Sequence, residues 1–167
     1  MTTNETPTET LTENTSYAPE HTPRLPWAKF APEVYKAMVK LDAAARQGLD
    51  PVLLELVKIR ASQINHCAFC LDMHTRDARK HGVSEQKLDV LAAWEEAGHL
   101  FTARERAALA LTEAITDLGD GHVRDEVYQR AAQVFSDREL SQVIAMAVTI
   151  NAWNRINVAA RVQPPTR

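Results

Sequence analysis

From Val34 onward, apolar side chains return every three or four residues, the spacing of one face of a helix. Val34, Met38, Leu41 and Ala45 form the first run, over about Pro32 to Arg46, and Gly48 closes it. Asp50-Pro51 reads as an N-cap followed by a first-turn proline, opening a helix through Leu53, Leu56, Val57 and Ile64. A third helix is predicted from about His66 to Lys80, stopping at Gly82, and a short one after Ser84 through Leu88, Leu91 and Trp94. Thr102 with Glu105, and Ser136 with Glu139, match the capping box, in which a hydroxyl residue is followed three later by glutamate. Each precedes an apolar stripe, Ala107 to Leu118 in one case and Leu140 to Val148 in the other. Between them Val127 to Phe135 reads as a shorter helix, and no segment alternates as a half-buried strand would. The expected fold is all-α, a compact multi-helix bundle.

Composition supports that reading. No proline occurs between Val52 and Gln163, which favours long helices. With 167 residues, 45% hydrophobic and 25% charged, the chain suits one domain with a real core. Residues 1–26 hold eight threonines, four glutamates and four prolines with almost nothing apolar, so they are expected to form a disordered extension. Residues 27–167 form the single helical domain. The net charge of -3 resides in that extension, through Glu5, Glu9, Glu13 and Glu20 against Arg24 alone. A charge-balanced body argues against nucleic-acid and anionic-membrane partners. The longest strongly apolar stretch, Val143 to Val148, is far below the roughly 18 residues of a membrane span, and a cytoplasmic protein is expected.

Two cysteines, Cys67 and Cys70, are too few for a disulfide framework, so their closeness needs another explanation. At about 100° per residue, Cys70 lies about 60° and His74 about 20° from Cys67 round a helix, which puts three reactive side chains on one face. A Cys-x-x-Cys at a helix start can close and reopen a disulfide, and the helix dipole favours a thiolate there. Glu55, twelve residues before Cys67, stands among Leu53, Leu54, Leu56 and Val57, either on a solvated face or held against a partner. Two other readings use the same residues. One is a reduced cysteine pair filling a helix interface; the other is zinc held by Cys67, Cys70 and His74 with Glu55 or His66, although such a site usually needs a second distant pair and no other cysteine exists. No metal and no cofactor is expected.

The spacing of Glu55, Cys67, Cys70 and His74 resembles the active-site motif of the AhpD-like alkylhydroperoxidases, members of the carboxymuconolactone decarboxylase superfamily. The resemblance runs from Glu55 to Asn65, through the cysteine motif, to Leu91–Trp94 and Thr102–Leu111. It implies an all-helical protein assembled into trimers or hexamers, and a thiol peroxidase or disulfide reductase. Its partners would be a hydroperoxide and a cellular dithiol or protein disulfide reductant. Carried over, Cys70 attacks the peroxide, Cys67 is the resolving and more accessible sulfur, His74 shuttles the proton and Glu55 is the general base. Where well-known members carry a histidine between the cysteines, this chain has Phe69, with His66 just outside the pair. Lactone decarboxylation, the superfamily's other chemistry, proceeds without the Cys-x-x-Cys pair, and a redox sensor without turnover is the non-enzymatic alternative.

The remaining polar residues receive blander readings. His81 suits the C-terminal end of its helix dipole, His99 and His122 sit in connections, and Glu95-Glu96 is surface charge. Asn151, Asn154, Arg155 and Asn157 make the last helix polar, which fits either an oligomer interface or a solvated face.

Overall fold

The computed structural model describes residues 22–119 and 121–167, and over them it contains eight α-helices and no strand. α1 (Trp27–Phe30) leads into α2 (Pro32–Ala45), followed by α3 (Pro51–Ile64), α4 (Ala68–Lys80) and α5 (Glu85–Asp89). Two 3-10 turns, Leu91–Ala93 and Gly98–Leu100, precede α6 (Ala103–Thr116), α7 (Asp125–Ala132) and the long α8 (Asp137–Ala160). The boundaries follow the local chemistry. Asp50 accepts a hydrogen bond from the Leu53 backbone N–H at 3.0 Å, and both capping boxes are closed.

α3 is the axis of the bundle and packs against α4, α6 and α8. Apolar side chains on two faces of α3 require that both be covered, and each face joins a different cluster. Leu53, Leu54 and Val57 join Ala108, Leu111, Val143 and Met146 of α6 and α8. Leu56 and Ile59 join Ala78, Leu91, Trp94 and Leu109 in a second cluster. The third face carries Glu55, Lys58 and Ser62, all buried.

α2 departs from expectation. Ala45 is buried and Met38 half-buried, but Val34 and Leu41 of the same stripe are exposed. The helix packs mainly on α1 and α8, so only a narrow strip of it is covered. Of the expected extension, residues 1–21 lie outside the described residues. Arg24, near its end, donates its backbone N–H to the Ala160 carbonyl at 2.9 Å and its guanidinium to Ala159 at 3.3 Å, fastening this segment to the end of α8. Among the described residues, no helix is long and apolar enough to cross a membrane.

Candidate active site

The turn from α3 to α4 positions the cysteines. The His66 N–H donates to the Gln63 carbonyl and the Cys67 N–H to the Ser62 carbonyl at 3.0 Å, with His66 left-handed at φ 54°. These are the paired bonds of a Schellman motif, which normally places glycine where His66 stands. The motif ends α3 at Ile64, so α4 begins at Ala68 and not at His66 as the sequence suggests. Cys67 thereby becomes the N-cap of α4. Its Sγ accepts from the Cys70 N–H at 3.3 Å, and the two sulfurs are joined in a disulfide with a Cα–Cα distance of 5.3 Å.

His74 lies one turn beyond Cys70, and its Nδ1 is 2.8 Å from Oε2 of Glu55. The other carboxylate oxygen faces Nζ of Lys58 at 3.5 Å. Glu55, Lys58 and His74 are all buried. Burial pushes the Glu55 carboxyl up, but the hydrogen bond and charge of His74, joined by Lys58, outweigh it and hold the group below its ordinary value. Burial also dominates at Lys58, lowering its ammonium from the usual range despite the attraction of Glu55 and Asp42. With Glu55 ionised, Nδ1 of His74 must carry a proton to make its bond, so in the neutral ring Nε2 is the acceptor.

The asparagines of α8 do neither of the things expected of them. They are buried within the chain, where each amide finds partners. Asn151 donates to Thr116 at 2.8 Å, and Asn65 donates to both Asn151 and Asn154. Asn154 donates to Ser62 at 2.9 Å, and Asn157 points its amide at Cys70 Sγ, 3.5 Å away. Lys58 is a site residue that the pattern alone did not single out, and Asn157 stood out there only for the polarity of the last helix. The available signals were the three-residue spacing of the asparagines, which puts them on one face of α8, and a lysine one turn beyond Glu55 in an apolar helix.

Each cysteine of the disulfide borders a different hollow. A cavity of about 680 Å³ is bordered by Glu55, Lys58, Cys70, His74 and Asn157. A smaller one of about 440 Å³ is bordered by Arg24, His66, Cys67, Asn157 and Arg161. Cys67, expected to be the more accessible sulfur, is 2% exposed against 1% for Cys70. The N-cap position folds it into the α3–α4 turn. His66 is exposed and borders the Cys67 hollow, not the cavity that holds His74. His81, His99, His122, Glu95 and Glu96 are also exposed. Among the described residues, no group of three or more His, Cys, Asp or Glu side chains is placed to hold a metal ion.

Residues 32–114 match the model of the carboxymuconolactone decarboxylase family. An uncharacterised Bacillus subtilis protein, YdfG, is 39% identical over 137 residues, which cover 81% of this chain and 92% of the relative. This chain belongs to the carboxymuconolactone decarboxylase family. Within the family it is AhpD-like. A solved Agrobacterium tumefaciens protein of unknown function, suggested to be the antioxidant defence protein AhpD, superposes with a TM-score of 0.84 at 36% identity. The match covers 87% of this chain and all of the other. The alkyl hydroperoxide reductase AhpD of Hyphomonas neptunium is 35% identical over a shorter stretch of 52 residues, 31% of this chain and 29% of the relative.

Proposed function

We propose that this AhpD-like protein is a thiol-dependent peroxidase that reduces organic hydroperoxides and is regenerated by a dithiol or a partner protein. The supporting observation is the Glu55–His74 hydrogen bond, buried one helical turn from the Cys67–Cys70 disulfide and bordering the same cavity as Cys70. In the reduced protein, Nε2 of His74 takes the proton of the Cys70 thiol while Glu55 stabilises the imidazolium. The Cys70 thiolate attacks the terminal oxygen of R–O–OH, the O–O bond breaks, and the leaving alkoxide takes the proton back from His74 as R–OH. Cys70 is left as a sulfenic acid. The Cys67 sulfur displaces water from it, closing the disulfide, and the dithiol then reduces that disulfide while becoming oxidised itself. The Asn157 amide, directed at Cys70 Sγ, supports a thiolate there.

No cofactor enters this scheme. The exposed Val34, Val39 and Leu41 of α2 support a homo-oligomer, a trimer or hexamer, and a cytoplasmic setting would supply the reductant. The test is turnover. Reduced protein given cumene hydroperoxide and excess dithiothreitol should consume many equivalents of peroxide, and Cys70→Ser should consume none. Oxidation that stops after one equivalent would make the pair a sensor, and lactone decarboxylation unaffected by Cys70→Ser would move the activity elsewhere in the superfamily's chemistry.

A further inference from the structure

The cavity beside Cys70 is much larger than the reaction needs. Hydrogen peroxide occupies little more than one or two water volumes of about 30 Å³ each, whereas about 680 Å³ lies open here, a size suited to a ligand of many heavy atoms. Part of its wall is aromatic. Trp27 from α1, Tyr35 from α2 and Trp153 from α8 meet with centroids 5.7, 6.0 and 5.8 Å apart and planes tilted by 58° to 75°. Tilted rings at these distances form a corner, and a further ring can enter it by the same edge-to-face contact. Phe69, Met73, Val39 and Ile150 extend the apolar lining.

The charged groups at the border are largely committed to one another. Asp42 pairs with Arg46, Asp77 with Lys80 at 2.6 Å, and Glu55 with Lys58 and His74. Lys29 stands on the exposed rim. Apart from Lys29, nothing in the wall calls for an ionic ligand, and the rest of the uncommitted surface is mostly ring and hydrocarbon. We propose that the cavity seats a ring-bearing apolar group, carried on a hydroperoxide, and that Trp27, Tyr35 and Trp153 determine its preference. The identity of the reacting group rests on the peroxidase reading; the seat for the ring rests on the cavity alone. Reduction follows the electron balance given above, with the ring-bearing alcohol and water as products.

Two measurements test the proposal and separate it from the peroxidase reading. The first is kcat/KM of the full chain for cumene hydroperoxide, tert-butyl hydroperoxide, linoleic acid hydroperoxide and hydrogen peroxide. The ring-bearing peroxide should lead, and Trp153→Leu should lower its ratio to hydrogen peroxide about tenfold, the scale of a lost aromatic contact. Tyr35→Leu changes an exposed ring away from the packed core and should act in the same direction. Tyr128→Leu, on the exposed side of α7 and outside the cavity, should leave the ratio alone. The second measurement is titration with cumyl alcohol, followed by tryptophan fluorescence, which requires no catalysis.

Saturable binding that weakens in Trp153→Leu and Tyr35→Leu supports the seat, even if no peroxide turns over and the peroxidase reading fails. Absence of binding, a ratio unmoved by both variants, or a lead for the linoleic substrate overturns it. Fluorescence that responds to protein concentration and not to the alcohol would give the cavity to a second copy of the chain, and overturns it equally.

Discussion

Replacing Glu55 by glutamine keeps the shape of the side chain and removes the charge, and the geometry indicates how much that should cost. The carboxylate accepts from two buried donors, His74 Nδ1 at 2.8 Å and Lys58 Nζ at 3.5 Å. An amide offers one acceptor oxygen and one donor nitrogen, so it cannot serve both. If the oxygen stays with His74, the amide nitrogen faces the Lys58 ammonium. If it turns to Lys58, the amide nitrogen donates to Nδ1, and the ring proton moves to Nε2, where the thiol needs an acceptor. Loss of a charge-assisted hydrogen bond costs about 1.5–3 kcal/mol, a factor of roughly 10 to 150 in rate. A carboxylate-to-amide change that reverses an imidazole tautomer costs about 10⁴ in kcat in a serine protease. Peroxide turnover in Glu55→Gln is therefore expected to fall between roughly 10- and 10⁴-fold, with the thiolate absorbance of Cys70 titrating at higher pH. Adding Lys58→Met separates the two donors. It should restore stability lost through the unpaired ammonium but not turnover. Unchanged turnover and titration in Glu55→Gln, or recovery of turnover in the double variant, would refute the relay.

Four further outcomes are expected. Cys67→Ser should accumulate a sulfenic acid that dimedone traps, while Cys70→Ser reacts poorly with peroxide; label confined to Cys67 in the Cys70→Ser protein would exchange the roles of the sulfurs. Asn157→Leu removes the amide directed at Cys70 Sγ and should slow peroxide consumption about tenfold while moving the thiolate titration to higher pH. His66→Gly relieves a left-handed histidine and should raise stability by about 1 kcal/mol in urea denaturation, with turnover retained if His66 has no part in the relay. The Glu139 carboxyl is held down to about 2, first by the Ser136 backbone N–H and then by the Arg104 hydrogen bond. A depressed carboxyl stabilises the fold above its unfolded value of 4.5, and that contribution disappears as pH falls through the folded value. Thermal melts of Glu139→Gln and the parent should therefore differ at neutral pH and converge as pH falls from 4.5 to about 2.

Much of this architecture is written locally. Asp50, Thr102 and Ser136 mark helix starts because a side-chain oxygen meets a backbone N–H within the same turn, and Gly82, at φ 85°, ends α4 in the same local way. The Glu55–His74 contact spans 19 residues, yet it is legible because both members are anomalous where they stand, a carboxylate in an apolar helix and an imidazole one turn past a cysteine. What stays hidden depends on distant neighbours. A Schellman turn that uses histidine in place of glycine has no compositional mark, so Cys67 looks helical when it is a cap. The corner of Trp27, Tyr35 and Trp153 joins opposite ends of the chain. No local pattern distinguishes buried asparagines from solvated ones until α3 and α6 supply their partners.

The asparagine column bears on how the helices find their positions. Hydrocarbon ridges interlock at several offsets, because sliding one helix past another by a turn of about 5.4 Å brings similar side chains back into contact. Three amides aimed at Thr116, Ser62 and the Cys70 sulfur all find their partners together at the observed offset. A one-turn slip of α8 would bring each asparagine towards its neighbour's place and leave the end one, Asn151 or Asn157, without its partner, at about 1–3 kcal/mol for an unsatisfied group. The column thus acts as an alignment key: it contributes little to how tightly α8 is held, and much to where it comes to rest. The sulfur lies at the far end of that key, so an error in docking the last helix would be felt first at the redox pair.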